Sequence, residues 1–123
     1  MRRFLASAAV VAPAVAGATP AAAVGPPIAA GPGSLAAGYT TPAAAGQSGG
    51  EMTFVNGDFA PHDVVSVDRG PNGLPLFYTQ IVGLGERTPV IGLDNLEGGR
   101  TYAFFCSLHP DTMRGTLVVL PRS

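Results

Sequence analysis

Turn residues interrupt the chain so often after residue 38 that only short strands fit between them. Asn56-Gly57 and Pro71-Asn72-Gly73 are typical of tight turns. The only helical structure that the sequence indicates is one short turn over residues 84–87. Alternating or continuous apolar runs predict six strands and an edge strand, at residues 52–55, 63–68, 76–82, 89–93, 100–106, 115–120 and 39–45. About seven strands in under ninety residues predict an all-β, Greek-key, two-sheet β-sandwich.

The first third of the chain has too few large apolar residues to contribute to a core. Residues 24–37 are mostly Ala, Pro and Gly, a composition that buries too little surface to offset the entropy of ordering. An alanine-rich helix is the alternative, but prolines interrupt it. We therefore expect a disordered linker over 24–37 and a single folded domain over 38–123.

The N-terminus has the features of a signal peptide over residues 1–23. Arg2 and Arg3 precede an apolar run, which is followed by two possible cleavage sites, Ala14-Val15-Ala16 and Ala21-Ala22-Ala23. A membrane anchor is the alternative, but the run is too short to span a bilayer and contains Pro13. The paired arginines leave the choice between the general and the twin-arginine export route open. We expect export to the periplasm or the extracellular space, without stable membrane insertion once the leader is removed.

The charge of the chain argues against a nucleic-acid partner. The chain has seven basic and eight acidic residues, which gives a formal net charge of −1. Loss of Arg2 and Arg3 with the leader would bring it to about −3, and no concentrated basic surface is evident.

Metal-binding side chains are concentrated near the C-terminus. Cys106, His109 and Met113 lie within eight residues, Cys106 is the only cysteine, and His62 is the only other histidine. Soft sulfur donors with two imidazoles suit copper, and a His-His-Cys set with a long, weak methionine bond is the blue-copper electron-transfer arrangement. Each residue alone has a simpler interpretation, as a buried thiol, a surface histidine or core filler. Their combination predicts one copper site.

Two segments resemble signatures of the plastocyanin-like cupredoxins, particularly small bacterial members related to amicyanin. Residues 102–119 resemble the C-terminal copper loop and last strand, and residues 54–65 contain an N-x-D-x-x-x-H run that ends at His62. The resemblance implies a cupredoxin fold and one type 1 copper held by His62, Cys106 and His109, with Met113 as the weak fourth ligand. It also implies that His109 lies nearest the solvent and that the protein carries single electrons. The sequence suggests neither a substrate pocket nor a second copper site, so we do not expect an enzyme.

The chain departs from the family pattern at two places. Three residues separate His109 from Met113, whereas the amicyanin and plastocyanin types have two and four, so the axial bond to Met113 stays an open question. Asp63 occupies a position that is commonly Asn in the family, where it ties the two ligand loops together. We expect a hydrogen bond between Asp63 and Ser107, the alternative being a solvated charge. We also expect the second nitrogen of a ligand imidazole to be held by a carbonyl, carboxylate or water.

The predicted partner is a redox protein that binds transiently to a monomer. An apolar rim of Leu108, Pro110, Phe59 and Pro61 would provide the docking surface. Two other functions remain open, namely a copper storage or delivery module and a metal-free secreted β-sandwich used for adhesion. A thiol hydrolase is not indicated, because Cys106 and His109 lie on one turn and no oxyanion arrangement can be argued.

Overall fold

Seven strands form two sheets in this computed structural model, which describes residues 22–122. In chain order, the strands are β1 (Ile28–Ala30), β2 (Ala43–Gln47), β3 (Thr53–Asn56), β4 (Val65–Ser66), β5 (Arg87–Pro89), β6 (Thr101–Phe105) and β7 (Arg114–Leu120). One sheet has the spatial order β1-β3-β5 and the other β2-β7-β6-β4. The β1–β3 and β2–β7 pairs are parallel, and the other three are antiparallel. The prediction of an all-β sandwich is confirmed.

The core lies between the two sheets and is built from alternate residues of the strands. Phe54 on β3 and Phe104 on β6 are fully buried. The Phe104 ring packs edge-to-face on Tyr39, with ring centroids 5.0 Å apart. Gly115 lies opposite Phe104 in the β6–β7 register, where a Cβ atom would approach the Phe104 ring to 2.5 Å. Glycine at this position therefore lets the ring pack directly against the backbone of β7.

Helical structure in the described residues is limited to one turn of α-helix and one turn of 3-10 helix. The α-helix, α1, spans Ser34–Ala37, and the 3-10 turn spans Leu93–Asn95. The helical turn expected over 84–87 is instead a tight turn, closed by the Glu86 amide donating to the Gly83 carbonyl (3.1 Å). No helix in this part of the chain has the length and apolar character needed to cross a membrane.

The strand expected over residues 76–82 is present only as isolated bridges. Tyr78 pairs with both Val65 and Ile91, and Val82 pairs with His62. Because consecutive parts of the segment bond to different neighbours, no continuous ladder forms. The expected strand over 89–93 is also shorter and shifted, since β5 ends at Pro89 and the 3-10 turn begins at Leu93.

The expectation of a disordered linker over 24–37 is wrong. Within this range β1 pairs with β3, and Ile28 and Ala30 are buried in the core. The side-chain oxygens of Thr41 and Thr40 accept hydrogen bonds from the Ala29 and Gly31 amides. Strand pairing and these contacts satisfy the backbone hydrogen-bonding groups, so a segment in which Ile28 is the one large side chain buried in the core becomes part of the sandwich. The predicted leader falls almost entirely outside the described residues.

The contribution of β1 to stability can be measured at Ile28, which is 0% exposed. We expect Ile28→Ala to lower the free energy of unfolding by about 2–5 kcal/mol, because it removes buried methyl groups and leaves a cavity. Val24→Ala is the matched control, since Val24 is 75% exposed. Urea denaturation of both variants checks the prediction. Equal, small losses would show that β1 does not belong to the cooperative core.

Candidate metal centre

Two loops at one end of the sandwich bring the predicted ligands together. His62 pairs with Val82 through two backbone hydrogen bonds, of 3.1 and 3.0 Å, just before the chain enters β4. Cys106 directly follows β6, and Met113 directly precedes β7. The loop between them is closed by the Cys106 amide donating to the Met113 carbonyl (3.0 Å) and the Met113 amide donating to the His109 carbonyl (3.0 Å). The loop geometry is therefore fixed by its own backbone.

Three donor atoms converge in a compact triangle. The Nδ1 atoms of His62 and His109 are 3.2 Å apart, and Cys106 Sγ lies 3.8 Å from the first and 3.7 Å from the second. A point equidistant from the three donors lies about 2 Å from each, close to the metal–nitrogen and metal–sulfur bond lengths of roughly 2.0–2.3 Å found at zinc sites. The three side chains therefore fit a single metal ion.

Met113 is placed beside this triangle by the loop. Its side chain is fully buried, and its backbone contacts both Cys106 and His109. The three-residue gap after His109 is thus accommodated without carrying Met113 into solvent. Coordination by its sulfur stays a prediction.

The triangle is buried on all but one side. His62 and Cys106 are fully buried, whereas His109 is half-buried. Burial raises the pKa of the Cys106 thiol, because the thiolate loses its hydration. Only the thiolate binds metal strongly, so the site is one in which a cation would compensate a buried negative charge. His109 is the ligand candidate that reaches the surface, as the family resemblance implied.

Asp58 holds the remote nitrogen of His62, a role that the sequence analysis did not assign to it. Its Oδ2 atom lies 2.7 Å from His62 Nε2, and both side chains are buried. The imidazole donates its Nε2 proton to the carboxylate, which lowers the pKa of Asp58 and leaves the Nδ1 lone pair directed at the triangle. We expected the second nitrogen of a ligand imidazole to be hydrogen-bonded, and for His62 the partner is a carboxylate. This carboxylate belongs to Asp58, the Asp of the N-x-D-x-x-x-H run.

Asp63 links the two ligand loops, as expected. Its carboxylate accepts hydrogen bonds from the Ser107 amide (2.7 Å) and the Ser107 hydroxyl (2.6 Å). Asp63 is buried, so the alternative of a solvated charge is wrong. Its carbonyl accepts a further hydrogen bond from the Tyr39 hydroxyl (2.5 Å). Asp63, which follows His62, therefore holds Ser107, which follows Cys106.

No family model and no curated protein matches the sequence, whereas many solved structures resemble the fold. The purple cupredoxin of Nitrosopumilus maritimus is 25% identical and has a TM-score of 0.59, with 76% of this chain and 97% of that chain covered. Reduced auracyanin from Roseiflexus castenholzii is 20% identical, with a TM-score of 0.61 and coverages of 83% and 100%. An amicyanin mutant in its Cu(I) form is 23% identical, with a TM-score of 0.53 and coverages of 80% and 81%. These similarities show that the chain has a cupredoxin-like fold, and in this fold His62, Cys106 and His109 lie together as a group that could hold one metal ion.

Proposed function

We propose that the protein is a mononuclear type 1 copper protein that carries single electrons between redox partners. The triangle of His62 Nδ1, His109 Nδ1 and Cys106 Sγ is the observation that carries this proposal. One thiolate with two imidazoles is a donor set that suits copper in both of its oxidation states. Among structurally similar proteins, auracyanin A of Chloroflexus aurantiacus is described as a blue copper protein. Copper, when bound, would supply the one-electron redox couple.

The rigidity of the site supports electron transfer. His62 is held by Asp58 through its ring and by Val82 through its backbone, and Cys106 is held by Met113. Ligands fixed in this way before metal arrives change little between oxidation states, which keeps the energetic cost of each electron transfer low. These contacts therefore support a role in rapid one-electron cycling.

The surface around His109 suits a transient partner. His109 is the half-buried member of the triangle, and an apolar rim of exposed Leu108, Pro110, Phe59 and Pro61 belongs to the same two loops. Phe59 is 86% exposed, which is unusual for a large aromatic side chain. We infer that electrons enter and leave through His109 and that the rim forms a small interface with a redox protein. The leader would direct this protein to the periplasm or the extracellular space.

Addition of Cu(II) to the purified mature protein tests the proposal. We expect one equivalent to give an intense visible thiolate-to-copper band that bleaches with a mild reductant and returns on reoxidation. A site that binds Cu(I) tightly but does not cycle would indicate storage or delivery instead. A metal-free adhesion domain would give no band, and His62→Ala and Cys106→Ala would then affect stability alone.

The role of Met113 can be tested with Met113→Gln. A harder amide oxygen in place of the thioether stabilises Cu(II) relative to Cu(I), so the variant should keep a coloured site and have a lower reduction potential. Met52→Gln is the control, because Met52 is also buried but lies next to β3, away from the site. Voltammetry of both variants measures the effect. An unchanged potential in Met113→Gln would mean that the sulfur does not coordinate copper.

A further inference from the structure

We propose that the N-terminal segment 33–35 positions the metal site, because the backbone of Leu35 connects Asp58, the residue that holds His62, to the loop that carries His109 and Met113. The functional consequence rests on the proposed copper function, whereas the structural connection does not. Leu35 would thus be a positioning residue that acts through its main chain.

The first half of the connection runs from the segment to His62. The Gly33 amide donates to Asp58 Oδ1 (3.1 Å) and the Leu35 amide donates to Asp58 Oδ2 (3.3 Å). The same Oδ2 atom accepts the hydrogen bond from His62 Nε2 (2.7 Å). Leu35 lies in the first turn of α1, where amides have no partner within the helix, so the carboxylate satisfies them. The Phe59 amide also donates to Asp58 Oδ1 (2.9 Å), so both oxygens of Asp58 are fixed by His62 and three amides.

The second half runs from the segment to the other ligand loop. The Thr112 hydroxyl donates to the Leu35 carbonyl (2.8 Å), and Thr112 lies between His109 and Met113. The Leu35 side chain is 47% exposed, so core packing does not explain the placement of the residue. Its amide contacts one ligand loop and its carbonyl the other. Residues 33–35 therefore connect the two ligand loops by hydrogen bonds and form a bracket between them.

The bracket has a defined chemical effect on His62. The Asp58 carboxylate is held by three amides, those of Gly33, Leu35 and Phe59, which keep its Oδ2 atom in place for the Nε2 proton of the imidazole. This leaves Nδ1 unprotonated and aimed at the triangle. Loss of a group that orients a metal ligand in this way typically lowers metal affinity by roughly 10–100-fold. We expect the loss of one supporting amide to lie at the lower end of that range.

Leu35→Pro in the otherwise intact mature protein is the direct test, with Leu35→Ala as its matched control. Proline removes the amide donor in the first turn of α1, where the amide has no partner within the helix, and alanine keeps the amide while shortening the side chain. Two quantities are measured, namely exchange of the His62 Nε2 proton with solvent by NMR in the metal-free protein, and affinity for copper. We expect Leu35→Pro to accelerate the exchange and to weaken copper binding about tenfold, with Leu35→Ala close to the wild type. Identical behaviour of the two variants would overturn the proposal.

A double-mutant cycle with Asp58→Asn shows whether the effect passes through Asp58. If it does, Leu35→Pro adds little to the loss in affinity already caused by Asp58→Asn, whereas fully additive effects would contradict the connection. If Leu35→Pro does not fold, amide exchange decides the question. Asp58→Asn should then accelerate exchange at Gly33 and Leu35, and unchanged exchange would overturn the proposal.

The NMR measurements also separate this inference from the proposed function. They use metal-free protein, so they remain decisive even if the wild type gives no copper band. Conversely, a wild-type protein that cycles copper normally, with identical Leu35→Pro and Leu35→Ala variants, would leave the proposed function standing and reject the bracket.

Discussion

Cys106→Ser should abolish the intense visible absorption of the copper-loaded protein. That band arises from charge transfer between a thiolate and Cu(II), and Cys106 is the only cysteine in the chain. Its sulfur lies 3.8 and 3.7 Å from the two Nδ1 atoms, so it is the sole thiolate able to share an ion with them. Serine keeps the approximate size of the side chain but offers a hard, protonated oxygen. Visible absorption spectra of the variant and the wild type with one equivalent of Cu(II) check the prediction.

Correct folding of Cys106→Ser has to be established separately, because Cys106 is fully buried. A buried hydroxyl without a good partner costs about 1–3 kcal/mol, a loss that urea denaturation of the metal-free variant will reveal. The two histidines should still bind copper weakly, without strong colour. A folded variant that retained the intense band would contradict the assignment of Cys106 as a ligand.

Asp63→Ala should weaken both the fold and the retention of copper. It removes the acceptor of two hydrogen bonds and leaves the Ser107 amide without its carboxylate partner. We expect a loss of about 1–3 kcal/mol in the free energy of unfolding, together with a roughly 10–100-fold loss of copper affinity. Urea denaturation and competition with a copper chelator measure the two effects.

Asp63→Asn is the matched control for this prediction. Its amide oxygen can still accept from the Ser107 backbone, while the charge and one acceptor position are lost. We expect its effects to be clearly smaller than those of Asp63→Ala. If Asp63→Ala left the spectrum and copper retention untouched, the link between the two ligand loops would have no role in the site.

The sequence was most informative where structure is local. Cys106 and His109 are three residues apart on one loop, so their convergence follows from a tight turn. Alternation in β6 and β7 predicted both strands to within a residue or two. His62 lies far from them in sequence, and its placement followed from the family signature. The structure then showed that Val82 pairs with it to hold it there.

The N-terminal strand could not be predicted, because its stability comes from distant partners. Ile28 and Ala30 are buried only because β3 supplies a parallel ladder for β1. An Ala-, Pro- and Gly-rich composition gives no local sign of such pairing. The hydrogen bonds from 33–35 to Asp58 likewise join residues more than twenty positions apart. Asp58 itself could have been found, since its position in the N-x-D-x-x-x-H run places a carboxylate four residues before His62.

Copper-edge X-ray absorption of the protein loaded with one equivalent of copper tests the central claim most directly. The structure predicts one sulfur and two imidazole nitrogens around a single copper ion, in both the oxidised and the reduced protein. A spectrum that shows only nitrogen and oxygen neighbours, with no sulfur, would contradict a site built from His62, His109 and Cys106.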